Sequence, residues 1–163
     1  MADLEELYRE IILDHYRNPR NRGELPVPPA HVETGFNPLC GDEITVYLDV
    51  EADRIADVKL GGQGCSISQS SASMMSTAVK GRTIDEARAT IRTFKRMMSV
   101  HEHRLDGDEA APGEAEPEVP LGDLEALQGV VKFPVRIKCA TLSWNTLVQA
   151  LDATEVRSPA AGD

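Results

Sequence analysis

Residues 61–81 read GGQGCSISQSSASMMSTAVKG, and this stretch constrains the chain more than any other. Gly61, Gly62 and Gly64 allow a tight turn, and the small-residue run behind them predicts a helix from about Ser66 to Lys80 with Gly81 as its C-cap. Ser68, Ser70, Ser71, Ala72 and Ser73 are poor core material by bulk. Their small side chains let another backbone approach closely, so this helix should sit tight against neighbouring elements. Met74 and Met75 read as core filler. The turn delivers Cys65 to the helix start, where unpaired first-turn N–H groups and the positive end of the dipole favour a thiolate. Cys65 is therefore suited to be a nucleophile or a metal ligand; the competing reading is a buried cysteine that only packs.

The rest of the chain alternates helical and strand periods. Leu4, Leu7, Tyr8, Ile11, Ile12 and His15 lie on one helical face between Asp3 and Arg17, and Asn18-Pro19 ends that helix. Five prolines and two glycines between Asn18 and Pro38 predict an extended connector, in which His31–Gly35 offers a weak third strand. His15 and His31 read as polar or packing residues. Ile44, Val46, Leu48 and Val50 alternate with polar residues as a half-buried strand does. Glu51–Arg54 reads as a turn, and Ile55, Val58 and Leu60 as a less regular hairpin partner. Thr83 and Glu86 form a capping box ahead of the stripe Ile84, Ala87, Ile91, Phe94 and Met98, which runs to about Val100. Residues 101–120, rich in acids and carrying three prolines, predict a mobile acidic loop in which His101 and His103 are solvated. Asp123 is expected to cap a short helical turn through Gln128. Pro134 opens a last helix whose buried face is Ile137, Thr141, Trp144, Val148 and Leu151, followed by a frayed tail over 157–163. These elements predict one α+β domain over 1–163, a small antiparallel sheet of about three strands packed against several helices.

A formal charge of -10 repels phosphate backbones and anionic lipid heads, which argues against nucleic acid and membrane partners. No apolar run approaches the ~20 residues that cross a bilayer, and the N-terminus has no basic-then-apolar leader, so the expected location is the cytoplasm. Three cysteines make a disulfide framework improbable and a reduced thiol site the better expectation.

Those cysteines, Cys40, Cys65 and Cys139, are distant in sequence, so the fold must assemble any site they build. In extended chain the Cys40 thiol and Asp42 carboxylate point the same way, with Gly41 removing bulk between them. Arg136 precedes Cys139 by three residues, on the same helical face, where a cation favours thiolate. Three thiolates and one carboxylate would suit tetrahedral Zn²⁺, with Arg136 and Lys138 offsetting excess negative charge. Spacing alone leaves three unrelated thiols as the alternative.

LYREIILDHYRNPRN at the start, CGD at 40–42, GGQGCSISQSSASMM at 61–75 and RIKCA at 136–140 resemble, in order, the U-type iron-sulfur cluster assembly proteins: IscU, SufU and the NifU N-terminal domain. The likeness covers almost the whole chain and is closer to the zinc-dependent SufU branch. Lys138 stands where IscU scaffolds carry a His. Val130-Val131-Lys132-Phe133-Pro134 does not reproduce their Leu-Pro-Pro-Val-Lys segment. The resemblance implies an IscU/SufU-like fold and a zinc-dependent sulfurtransferase that takes persulfide sulfur from a SufS-type cysteine desulfurase and passes it to a downstream Suf scaffold. It implies Cys40, Asp42, Cys65 and Cys139 as ligands, Cys40 as sulfur acceptor and Arg136 as the nearby Arg. The alternative is a scaffold carrying iron or a [2Fe-2S] or [4Fe-4S] cluster at the same site. Tyr8 and the first helix could pack internally or against a second copy, as a homodimer.

Overall fold

The computed structural model describes residues 2–27, 29–38, 41–106 and 121–162, and side chains within 6–27, 29–38, 41–98 and 121–154. Three antiparallel strands, β1 (His31–Asn37), β2 (Asp42–Glu51) and β3 (Arg54–Gln63), form a sheet in the order β1-β2-β3. Asp42, Ile44, Val46 and Leu48 occupy alternate, buried positions of β2, so an acid sits at the end of an otherwise apolar inward row. Ala52 and Asp53, both at positive φ (52° and 65°), make the two-residue turn to β3. The irregular alternation of β3 is a bulge. Asp49 pairs with Asp57 but Val50 with Ile55, so Ala56 is the extra residue that lets both Ile55 and Val58 point inward.

β1 replaces the second half of the expected connector. Its outward positions carry Val32 and Phe36, while Glu33 and Gly35 lie on the other face, the reverse of an ordinary half-buried strand. Gly35 is required there: a Cβ would collide with the Thr146 side chain of the last helix.

Among the described residues there are four α-helices, α1 (Ala2–Arg17), α2 (Ser66–Val79), α3 (Ile84–Asp106) and α4 (Pro134–Gly162), of which α2 and α4 lie against the sheet. α2 lies against both α1 and α4, and its serines make the contacts. Ser71 Oγ donates to the Ala140 carbonyl (2.6 Å) and accepts from Trp144 Nε1 (3.0 Å). Ser73 Oγ accepts the Arg20 N–H (2.9 Å) and lies 2.7 Å from His15 Nδ1. His15, 2% exposed, is thus a buried cross-link between α1 and α2, in line with its reading as a packing residue. This Ser73–His15 pair is structural, because Ser73 is fully buried and its hydroxyl already serves two partners. Trp144 stacks on Phe94 at 4.3 Å, joining α4 to α3.

The capping box forms as expected. Thr83 N–H donates to Glu86 Oε1 and Glu86 N–H to Thr83 Oγ1, both at 3.0 Å. α3 then continues to Asp106, into the stretch expected to be loop: residues 101–106 contain no Gly or Pro, and extending an existing helix costs far less than starting one. The remainder of the expected acidic loop, 107–120, lies outside the described residues, as do the side chains of His101 and His103. A 3₁₀ segment, Gly122–Lys132, replaces the short turn, and Asp123 does not cap it. Its carboxylate instead lies 3.1 Å from His15 Nε2. α4 begins at Pro134 and extends through the residues expected to fray, to Gly162. Its most deeply buried residues are Cys139, Ala140, Ser143, Trp144, Leu147, Ala150 and Leu151, a broader face than periodicity indicated. Among the described residues no helix is long and apolar enough to cross a membrane.

Candidate metal centre

Three elements converge at one end of the sheet. Asp42 opens β2, Cys65 caps α2, and Cys139 lies in the second turn of α4. One ligand atom from each of these three residues lies within 4.8 Å of the others. Asp42 and Cys139 are fully buried, while Cys65 is half-buried.

Each position has a local cause. Cys65 is the N-cap of α2, in extended conformation, and its sulfur accepts the Ser68 N–H at 3.4 Å. Its own N–H donates to Asp42 Oδ1 at 2.9 Å, leaving Oδ2 4.0 Å from the Cys65 sulfur. The glycines before it are steric necessities. At Gly62 (φ +102°) a Cβ would run into the Glu43 carbonyl, and at Gly64 it would lie 2.6 Å from Asp42 Oδ1. Arg22 braces the same turn, donating to the Gly62 carbonyl at 2.8 Å and to Gln69 Oε1 of α2 at 3.1 Å. From the other side, the Asn37 amide reaches Cys139 Sγ at 3.8 Å.

The donor set fits a divalent cation. Tetrahedral zinc with thiolate and carboxylate ligands places those ligand atoms about 3.5–3.8 Å apart, so the observed cluster would draw in by up to about 1 Å on binding it. A buried carboxylate beside two thiols also calls for a positive partner in the ionised state. Cys40, the fourth expected ligand, lies outside the described residues, in the connection between β1 and β2. That connection is short: Asn37 and Asp42 are paired Cα partners, and Gly41 N–H donates to the Asn37 carbonyl at 2.9 Å, with Gly41 at φ +71°.

Arg136, the remaining expected site residue, lies in the first turn of α4. It is exposed and lines a cleft of about 790 Å³ together with Ser66, Ile67, Tyr8, Arg9 and Phe133. Cys139, three residues further along α4, is buried, whereas Arg136 as a residue is exposed. Ile12 lines this cleft too, so α1 borders it opposite the first residues of α2. Asn37 and Arg22 were not singled out from sequence. The Asn-Pro pair ahead of Cys40 marks the turn, but nothing in it indicates an amide aimed at a residue a hundred positions away.

The sequence pattern of the NifU-like N terminal domain matches residues 7–140. The chain belongs to this family. It is 44% identical over 154 residues to the zinc-dependent sulfurtransferase SufU of Bacillus subtilis, covering 94% of this chain and 95% of that one. It is 38% identical over 151 residues to the iron-sulfur cluster assembly scaffold protein IscU of Streptococcus pyogenes, covering 93% and 86%. Among solved structures, a putative iron-sulfur cluster assembly scaffold protein for the SUF system from Fervidobacterium islandicum superposes with a TM-score of 0.70 at 34% identity, covering 87% of this chain and 94% of that one. The α+β fold expected from the residues and the IscU/SufU-like architecture expected from the resemblance are both borne out.

Proposed function

We propose that this NifU-like protein works in iron-sulfur cluster assembly as a zinc-dependent sulfur acceptor and carrier, with Cys40, Asp42, Cys65 and Cys139 as metal ligands. The observation that carries the reading is the convergence of Asp42, Cys65 and Cys139 within 4.8 Å, on a chain 44% identical to a zinc-dependent sulfurtransferase. Bound zinc would supply a redox-inert Lewis acid that holds thiolates without oxidising them.

The chain's own residues divide the work. Asp42 and Cys139 are buried anchors, and Cys65 is held by its cap. Cys40, beside Gly41 in a short turn, is the acceptor. Its thiolate attacks the outer sulfur of a persulfide on a cysteine desulfurase of the SufS type; the S–S bond breaks, the donor cysteine leaves as thiolate, and Cys40 carries the sulfur as a persulfide. Arg136, at the cleft rim beside Ser66, meets the incoming anionic sulfur. A downstream Suf scaffold receives the sulfur, and the reducing cytoplasm is the compartment in which such thiols stay available.

The test is sulfide release by a SufS-type desulfurase with cysteine and a reductant. This protein should stimulate release; zinc removal and Cys40→Ala should each abolish the stimulation. Full stimulation by either form would overturn the assignment.

A second reading, a scaffold for a cluster at the same ligands, is favoured by the 38% identity to a scaffold IscU. Protein purified without air separates the two. One tightly bound zinc supports the carrier, while iron, sulfide and a brown chromophore support the scaffold.

A further inference from the structure

Asn37 has three separate ties to this centre. Its Cα is paired with that of Asp42 across β1 and β2. Its carbonyl accepts the Gly41 N–H at 2.9 Å, closing the connection in which Cys40 lies. Its Nδ2 donates to Cys139 Sγ at 3.8 Å, and the residue is 6% exposed. An N–H donor directed at a thiolate stabilises the filled sulfur orbitals and so reduces the sulfur's nucleophilicity while holding it in place. Cys139 is itself fully buried. Of the two described sulfurs, Cys65 and Cys139, it is the one the fold makes less able to leave or to attack.

We propose that Asn37 is a positioning residue that fixes Cys139 as a permanent ligand and thereby reserves sulfur acceptance for Cys40. This rests on the sulfur-carrier reading above. One residue thus ends the strand leading to the acceptor and quiets the competing thiol. Arg22 and Gln69 bond instead to each other, and Arg22 to the Gly62 carbonyl of the glycine turn.

The test compares wild type with Asn37→Ala, which removes the donor, and Asn37→Asp, which keeps the shape but presents an acceptor. Three readouts apply: the sulfur-to-metal charge-transfer band of the Co²⁺-loaded protein, the distribution of persulfide between the Cys40 and Cys139 peptides after incubation with a desulfurase and cysteine, and the ratio of Cys139 to Cys65 alkylation by iodoacetamide in metal-free protein. Both variants should move the band to lower energy, raise the Cys139 share of persulfide several-fold and raise the alkylation ratio. Zinc should also pass to a chelator about tenfold more readily. Should Asn37→Ala fail to fold, Asn37→Asp carries the comparison. An unchanged band and unchanged alkylation ratio in a folded variant would overturn the role of Asn37. A wild type that gives no charge-transfer band and no persulfide would instead overturn the sulfur-carrier reading, and the alkylation ratio would still decide the Asn37 contact.

Discussion

Gly64→Ala is the sharpest perturbation of the site that touches no ligand. The added Cβ would lie 2.6 Å from Asp42 Oδ1, 3.0 Å from its carboxyl carbon and 3.1 Å from its Cβ, so the whole side chain, rather than one flexible tip, is in the way. Ordinary contact begins near 3.4 Å, so something must move by about 0.8 Å, in a side chain that must also draw in toward the two sulfurs to bind a metal. Asp42 cannot rotate away cheaply, because it is fully buried and its Oδ1 is held by the Cys65 N–H. The strain should cost about 1–3 kcal/mol in stability, typical of overpacking, so most of the protein should still fold at 25 °C. Zinc affinity should fall about 10–100-fold, the loss seen when a ligand is held out of position. Competition with a chromophoric chelator measures the affinity, and urea unfolding of the metal-free protein measures the stability. Gly129→Ala is the control, since nothing lies within 4 Å of its Cβ. Wild-type zinc affinity in folded Gly64→Ala would refute the claim that Asp42 is a ligand held by this packing.

Three further outcomes follow from the packing. Ser71→Ala strips the Trp144 indole N–H of its partner in a fully buried setting and should cost about 1–3 kcal/mol in urea unfolding, whereas a neutral result would mean the N–H finds another acceptor. His15→Ala should cost clearly more than Asp123→Ala, because the Ser73 side of the link is buried while the Asp123 side chain is 59% exposed; equal costs would contradict this. The Arg20 guanidinium, and after it the Asn18 amide, hold the Asp14 carboxyl below its ordinary value. A lowered folded-state value means the contribution is present above the usual carboxylate range and is lost as pH falls through the folded-state value, so Asp14→Asn should flatten the acid limb of the stability curve, and an unchanged limb would exclude the pair.

Legibility tracked local periodicity. The β2 alternation, the capping box and the Pro134 start depend on near neighbours, and each formed where expected. β1 was hard to read because Val32 and Phe36 face out and Gly35 faces α4, a pattern decided by a helix more than a hundred residues on. Ala56 disguised β3 for the same reason, since a bulge is visible only against its partner strand. Asp123 looked like a cap because capping is local chemistry, yet His15 claimed it across the fold. The three described ligand candidates were legible because their chemistry is rare and each sits at an element boundary with a turn or cap signature. Asn37 was not, since its link to Cys139 spans the chain and leaves no local trace.

The central claim is that Cys40, Cys65 and Cys139 join Asp42 around one divalent ion, and X-ray absorption at the zinc edge of the loaded protein tests it most directly. The account predicts about three sulfur neighbours near 2.3 Å and one oxygen near 2.0 Å, with one sulfur lost in Cys40→Ala. A shell of oxygen or nitrogen alone, or a sulfur count unaffected by Cys40→Ala, would contradict it.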